Sequence, residues 1–270
     1  MHVNPFESEY PDALVPNPEG SPLNKVSLSA LHASIPLGKR LESSSQSLLV
    51  DAVRSFYFAK AFYAEWNLRE ENLPSDVRHA ASQMPRDLIR LAVLSIGAVN
   101  DSSERTRSLH NTVAAIKLAL ADDPGTDAVA AREAIEDIRH RIDANSVVPL
   151  KYVRHVRNKW AGHASFDRDF DDWASADTTL SFPLLEKGLE ILVNAHSDLF
   201  EVIRLSETAS RVAAQAERAD SAEDGPLSVP MSIDWSAIAV LAPMIRDAAK
   251  RDAALIMNQL ARSDRSTPRE

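Results

Sequence analysis

Arg157 and Asn158 stand side by side, and five residues separate Arg157 from His163 in Arg157-Asn158-Lys159-Trp160-Ala161-Gly162-His163. An imidazole titrating near ~6.5 can move protons at neutral pH. A guanidinium is an always-charged planar fork, suited to charge that develops on oxygen. The Asn158 amide can hold an oxygen or a ring nitrogen by hydrogen bonding. The surroundings favour an anion: between Asp143 and Asp167 there is no acidic residue, while Lys151, Arg154, Arg157, Lys159, His155 and His163 all fall there. Arg154 and Lys159 are the added cations that would grip a polyanion. The bland alternative is a basic helix face neutralised in the fold by acidic neighbours.

Spacing limits what Arg157 and His163 can do together. On an ideal helix six steps leave them about 120° apart. They converge only if the helix ends or changes its winding, and Gly162 is a natural place for it to end. If the helix runs straight, Val153, Val156, Trp160 and His163 form one stripe, and His163 faces the core.

The elements that must position these residues are helical. Six of the fifteen prolines lie within Pro5–Pro36, so residues 1–45 read as an extended arm. Apolar positions Leu49, Ala52, Phe56, Ala59, Tyr63 and Trp66 alternate in steps of three and four, one face of a helix. Its aromatics read as a packing centre, with a base-stacking platform as the alternative. Residues 76–100 continue as helix with a restart at Pro85, apolar nearly all round. Further stripes cover Leu109–Leu120 and Ala128–Ile142, and a short helix starts near Pro149. Ser181-Phe182-Pro183 opens the longest helix, where His196 reads as a core histidine. Residues 46–218 form the expected bundle. A linker follows at 219–231, then an amphipathic helix at 232–263, striped by Ile238, Leu241, Ile245, Ala249, Ile256 and Leu260 and kinked by Pro243, and a tail at 264–270. No stretch shows sustained period-two alternation, and an all-α fold is expected.

Composition excludes several classes. The chain has 270 residues and no cysteine, which removes thiol catalysis, thiolate zinc sites and disulfide frameworks. Asp167, Asp169 and Asp171 have the spacing of a calcium loop. Asp172 and Thr178, however, stand where its glycine and bidentate glutamate belong. No metal site and no cofactor are expected. The net charge of −9 argues against coating nucleic acid or membrane non-specifically, so any such contact is local. The longest apolar run is too short to span a bilayer, and the N-terminus lacks the marks of a secretory signal. A cytoplasmic protein without a membrane partner is expected.

The Arg157-Asn158-x4-His163 run, set late in a helical bundle and just before its longest helix, resembles the signature of the HEPN superfamily (higher eukaryotes and prokaryotes nucleotide-binding), closest to its abortive-infection branch. The motif covers seven residues, and the looser helical likeness covers about 46–218. The resemblance implies an all-α domain that cleaves RNA without metal, the 2′-hydroxyl attacking the adjacent phosphate. It assigns catalysis to Arg157, Asn158 and His163, and suggests a toxin or phage-defence effector held by a cognate antitoxin or inhibitor. It also implies a homodimer whose two motifs share one cleft. Ser165 stands where some members carry a tyrosine, so tyrosine modification is not expected. The alternatives are a non-catalytic helical dimer binding RNA, nucleotide or protein, and a structural bundle bearing the motif by chance.

Overall fold

A computed structural model describes residues 2–4, 35–103, 105–120, 126–161, 179–219 and 238–262. The fold is all-α. Its helices are α1 (Ile35–Arg69), α2 (Ser75–Ala81), α3 (Met84–Val99), α4 (Leu109–Leu120), α5 (Thr126–Arg141), α6 (Val148–Val156), α7 (Phe182–Ala219) and α8 (Ile238–Arg262). A π-type turn, Arg157–Ala161, extends α6. Two three-residue strands, β1 (His2–Asn4) and β2 (Thr179–Ser181), pair in parallel with Val3 opposite Leu180. Periodicity did not foresee this small ladder. No helix among the described residues is long and apolar enough to cross a membrane.

Helix α1 is the centre of the bundle and packs against α3, α7 and α8. It begins at Ile35, inside the stretch expected to be an extended arm. Pro36 is its second residue, in the first turn, where a missing N–H breaks no helical bond. The aromatic cluster is core and not an open stacking surface. Phe56 and Phe62 are fully buried, and Phe56 meets Tyr57 and Phe182 edge-on at centroid distances of 5.3 and 6.0 Å. Burying each such ring contributes roughly 1.5–3 kcal/mol.

Two sequence expectations need correction. Helix α3 is not apolar all round in its setting: Ile89, Ala92, Val93, Ile96 and Val99 are buried, but Leu91 is 53% exposed. Leu91 faces a cavity of about 540 Å³ between α1, α3 and α8. Of the stripe expected on α8, Ile238 and Ala249 are buried, while the bulkier Leu241, Ile245, Ile256 and Leu260 are half-buried; Ala242, Ala253 and Met257 complete the deepest line. Alanines on the inner line let α8 come close to α1, and the larger side chains flank the seam. A satellite core forms there from Phe62, Trp66, Leu73, Ala81, Ala253 and Met257. The expected linker, from residue 220 onward, and the tail at 264–270 lie outside the described residues.

Helix α6 is held on α7 by close approach. A Cβ at Gly188 would lie 2.9 Å from Val153 Cγ2, so only glycine leaves room there. The backbone N–H of Ser181 donates to the Tyr152 hydroxyl at 2.8 Å, joining α6 to the entry of α7. Ser181 also caps α7, its Oγ accepting from the Leu184 N–H at 3.3 Å.

Candidate functional site

Two polar turns form the ground on which Arg157 sits. The first follows α3, where Asn100-Asp101-Ser102-Ser103 halts the helix. It is pinned to the start of α4. The Ser108 hydroxyl accepts from the Asn111 N–H at 3.2 Å, and the Asn111 amide donates to the carbonyls of Ser103 and Thr106 at 2.6 and 2.9 Å. The second turn joins α5 to α6. Asp143 folds it locally, accepting from the Asn145 N–H and the Ser146 hydroxyl, both at 2.9 Å. The backbone N–H of Asn145, above all, holds the Asp143 carboxyl below the usual carboxylate range. The Asn100 amide donates to the Ile142 carbonyl at 2.9 Å, tying the two turns together.

Helix α6 starts with Pro149 in its first turn and presents Arg154, Arg157 and Asn158 over these turns. At Arg157 the winding loosens to the π form, and Arg90 of α3 donates through Nε to the Ala161 carbonyl at 2.7 Å, fixing the far end of the turn. Turns of this kind are frequent at functional sites. The side chain of Arg157 then crosses α3 at Gly97. A Cβ on Gly97 would collide with Arg157 Cδ, so the glycine is the space the arginine occupies. Beyond it, Nη1 donates to the Gly97 carbonyl at 3.2 Å and Nη2 to the Asp101 carboxylate at 2.9 Å.

Arg154, Arg157 and Asn158 line one cavity of about 220 Å³, together with Asn100, Asp101, His110, Asp143 and Asn145. Arg154 is exposed and donates to Asn145 Oδ1 at 2.8 Å. Arg157 is half-buried, and Asn158 is exposed. Lys159 sits half-buried on the same turn and does not line the cavity. His163, Gly162 and the acidic run Asp167–Asp172 lie outside the described residues. The expected core position of His196 is observed, fully buried on α7.

The basic run meets acidic neighbours: two arginines and two aspartates share the cavity wall. This is the neutralisation that the charge pattern allowed as its alternative, applied here to Arg157. The arrangement still offers an oxyanion two guanidinium groups, three side-chain amides and an imidazole. Asp101, Asn145 and His110 carry no signal in linear spacing that could have tied them to Arg157. Asn100–Ser103 reads as a turn, and only the fold brings it against a residue 56 positions later. No family model matches the sequence, and neither a curated protein nor a solved structure is found to be similar to it.

Proposed function

We propose that this chain is a metal-independent endoribonuclease of the HEPN type, acting as a toxin or phage-defence effector. The observation that supports the reading is the placement of Arg157 and Asn158 together on the wall of a cavity, on the last described helical element before the longest helix. In this reading the RNA 2′-hydroxyl attacks its own phosphate. Arg157 offsets the charge that grows on the phosphorane oxygens, Asn158 holds one of them, and His163 moves a proton. Arg154 and Lys159 grip flanking phosphates. Two protomers pair with their motifs facing, and an antitoxin or inhibitor protein restrains the pair.

A second reading has an observation of its own. The Arg157 guanidinium is already engaged by Asp101, which suits a helical dimer that binds RNA, nucleotide or protein without cutting. Cleavage of single-stranded RNA by the intact chain in excess chelator separates the two. The first reading expects cleavage, and a loss of ~10²–10⁴ in His163→Ala with the fold retained, the usual worth of a general acid or base. RNA bound but never cut supports the second reading. Undiminished cleavage by His163→Ala removes the assignment of the motif.

A further inference from the structure

We propose that His110 is the second proton-transfer group of the Arg157 cavity. The proposal rests on the ribonuclease reading and names a residue that the motif does not contain. Attack by the 2′-hydroxyl requires two proton movements. The 2′-oxygen bonds to phosphorus while the bond from phosphorus to the 5′-oxygen breaks. One group takes the 2′-hydroxyl proton, and another gives a proton to the departing 5′-oxygen. The products are a 2′,3′-cyclic phosphate and a free 5′-hydroxyl, and the two groups end with their protonation states exchanged. In the proposed reading His163 is assigned one of these two roles.

His110 supplies the other. It lies in the first turn of α4 and lines the same cavity as Arg157 and Asn158. Among the described residues it has no hydrogen-bond or ion-pair partner, and it is half-exposed. Both ring nitrogens are therefore open to a ligand. The backbone beneath it is firm, because Ser108 caps α4 and Asn111 anchors the helix to the preceding turn. His79, His140, His155 and His196 are placed differently. His140 pairs with Glu136, His196 is fully buried, and neither they nor His79 and His155 line the cavity. The charged groups sharing the cavity wall with His110 are Asp101 from the α3–α4 turn, Asp143 from the α5–α6 turn, and Arg154 and Arg157 from α6.

The test is cleavage of single-stranded RNA by the intact chain and by His110→Gln and His110→Ala, followed across pH. His110→Gln keeps a planar polar side chain of similar reach, and circular dichroism checks that both variants remain folded. The expected result is a ~10²–10⁴-fold fall in kcat for both variants and the disappearance of one limb of the bell-shaped pH profile. A His110→Gln enzyme with full rate overturns the role and leaves the ribonuclease reading standing. A lowered rate with both limbs intact also overturns it, since a merely structural histidine would behave that way. No cleavage by the intact chain overturns the reading and this role together.

Discussion

The Nη2 of Arg157 lies 2.9 Å from an Asp101 carboxylate oxygen, and this ion pair joins the end of α6 to the end of α3. The two side chains are 30% and 20% exposed, so the pair is partly shielded from solvent. Any phosphate that uses Arg157 must share the guanidinium with this carboxylate or displace it. Asp101→Asn is expected to tighten binding of single-stranded RNA. It should steepen the log–log salt dependence by about 0.7, one further phosphate neutralised. The same change should cost about 1 kcal/mol of stability in urea, after allowance for solvent screening. Weaker RNA binding in this variant would show that Asp101 aims the guanidinium instead of competing for it.

Gly97 and Arg157 make a sharper pair for a double-mutant cycle. In Gly97→Ala the new methyl meets Arg157 Cδ, and the arginine must leave its course to Asp101. The single change is expected to destabilise by about 1–3 kcal/mol, the range for overpacking, despite alanine's better helix propensity. With Arg157 already truncated to alanine the collision is gone. Gly97→Ala should then stabilise by about 0.5–1 kcal/mol, the ordinary gain for alanine over glycine inside a helix. Equal effects in both backgrounds would show that the arginine does not depend on the glycine.

Acid stability should depend on Glu136, which joins α4 to α5. Hydrogen bonds from Arg139 and then Lys117 lower its pKa from 4.5 to about 2. The folded carboxyl thus binds its proton less tightly than the unfolded one. Its contribution is complete above 4.5 and is lost as pH falls from there through about 2. Glu136→Gln should remove this part of the acid limb. Urea midpoints measured across pH 2–5 check it. An identical acid limb in the variant would mean that the exposed pair contributes nothing measurable.

Helix positions were legible where an apolar stripe met a clear stop. Leu109–Leu120 and the opening of α7 at Ser181-Phe182-Pro183 follow from spacing and capping alone. The start of α1 was not, because proline density suggested extended chain, whereas Pro36 occupies the one part of a helix that tolerates it. The inner face of α8 was legible only in part, at Ile238 and Ala249, because periodicity weights large apolar residues. Close helix packing favours the small ones, so Ala249 and Ala253 lie deeper than Ile245 and Ile256. At the site, sequence singled out Arg154, Arg157 and Asn158 by their local charge and order. It could not find Asp101, Asn145 or His110, whose relation to Arg157 exists only once α3, α4 and the α5–α6 turn are packed around it.

Helix α8 offers a test of that last distinction between faces. Met257 is fully buried in the satellite core with Phe62 and Trp66, while Leu255, two residues earlier, is 56% exposed. Met257→Ala removes buried atoms and leaves a cavity between α8 and α1, and is expected to cost about 2–5 kcal/mol. Leu255→Ala changes a largely solvated side chain and should stay within about 0.5 kcal/mol. Urea denaturation of the two variants reads both values. A chain ending at Asp220 would uncover Phe62 and Trp66 together, and light scattering should show it associating beyond the state of the intact chain. If Leu255→Ala proved the more costly change, α8 would be rotated from the face described, and its seat on α1 would need to be redrawn. If the truncated chain kept the intact chain's assembly state and stability, α8 would not be part of the core at all.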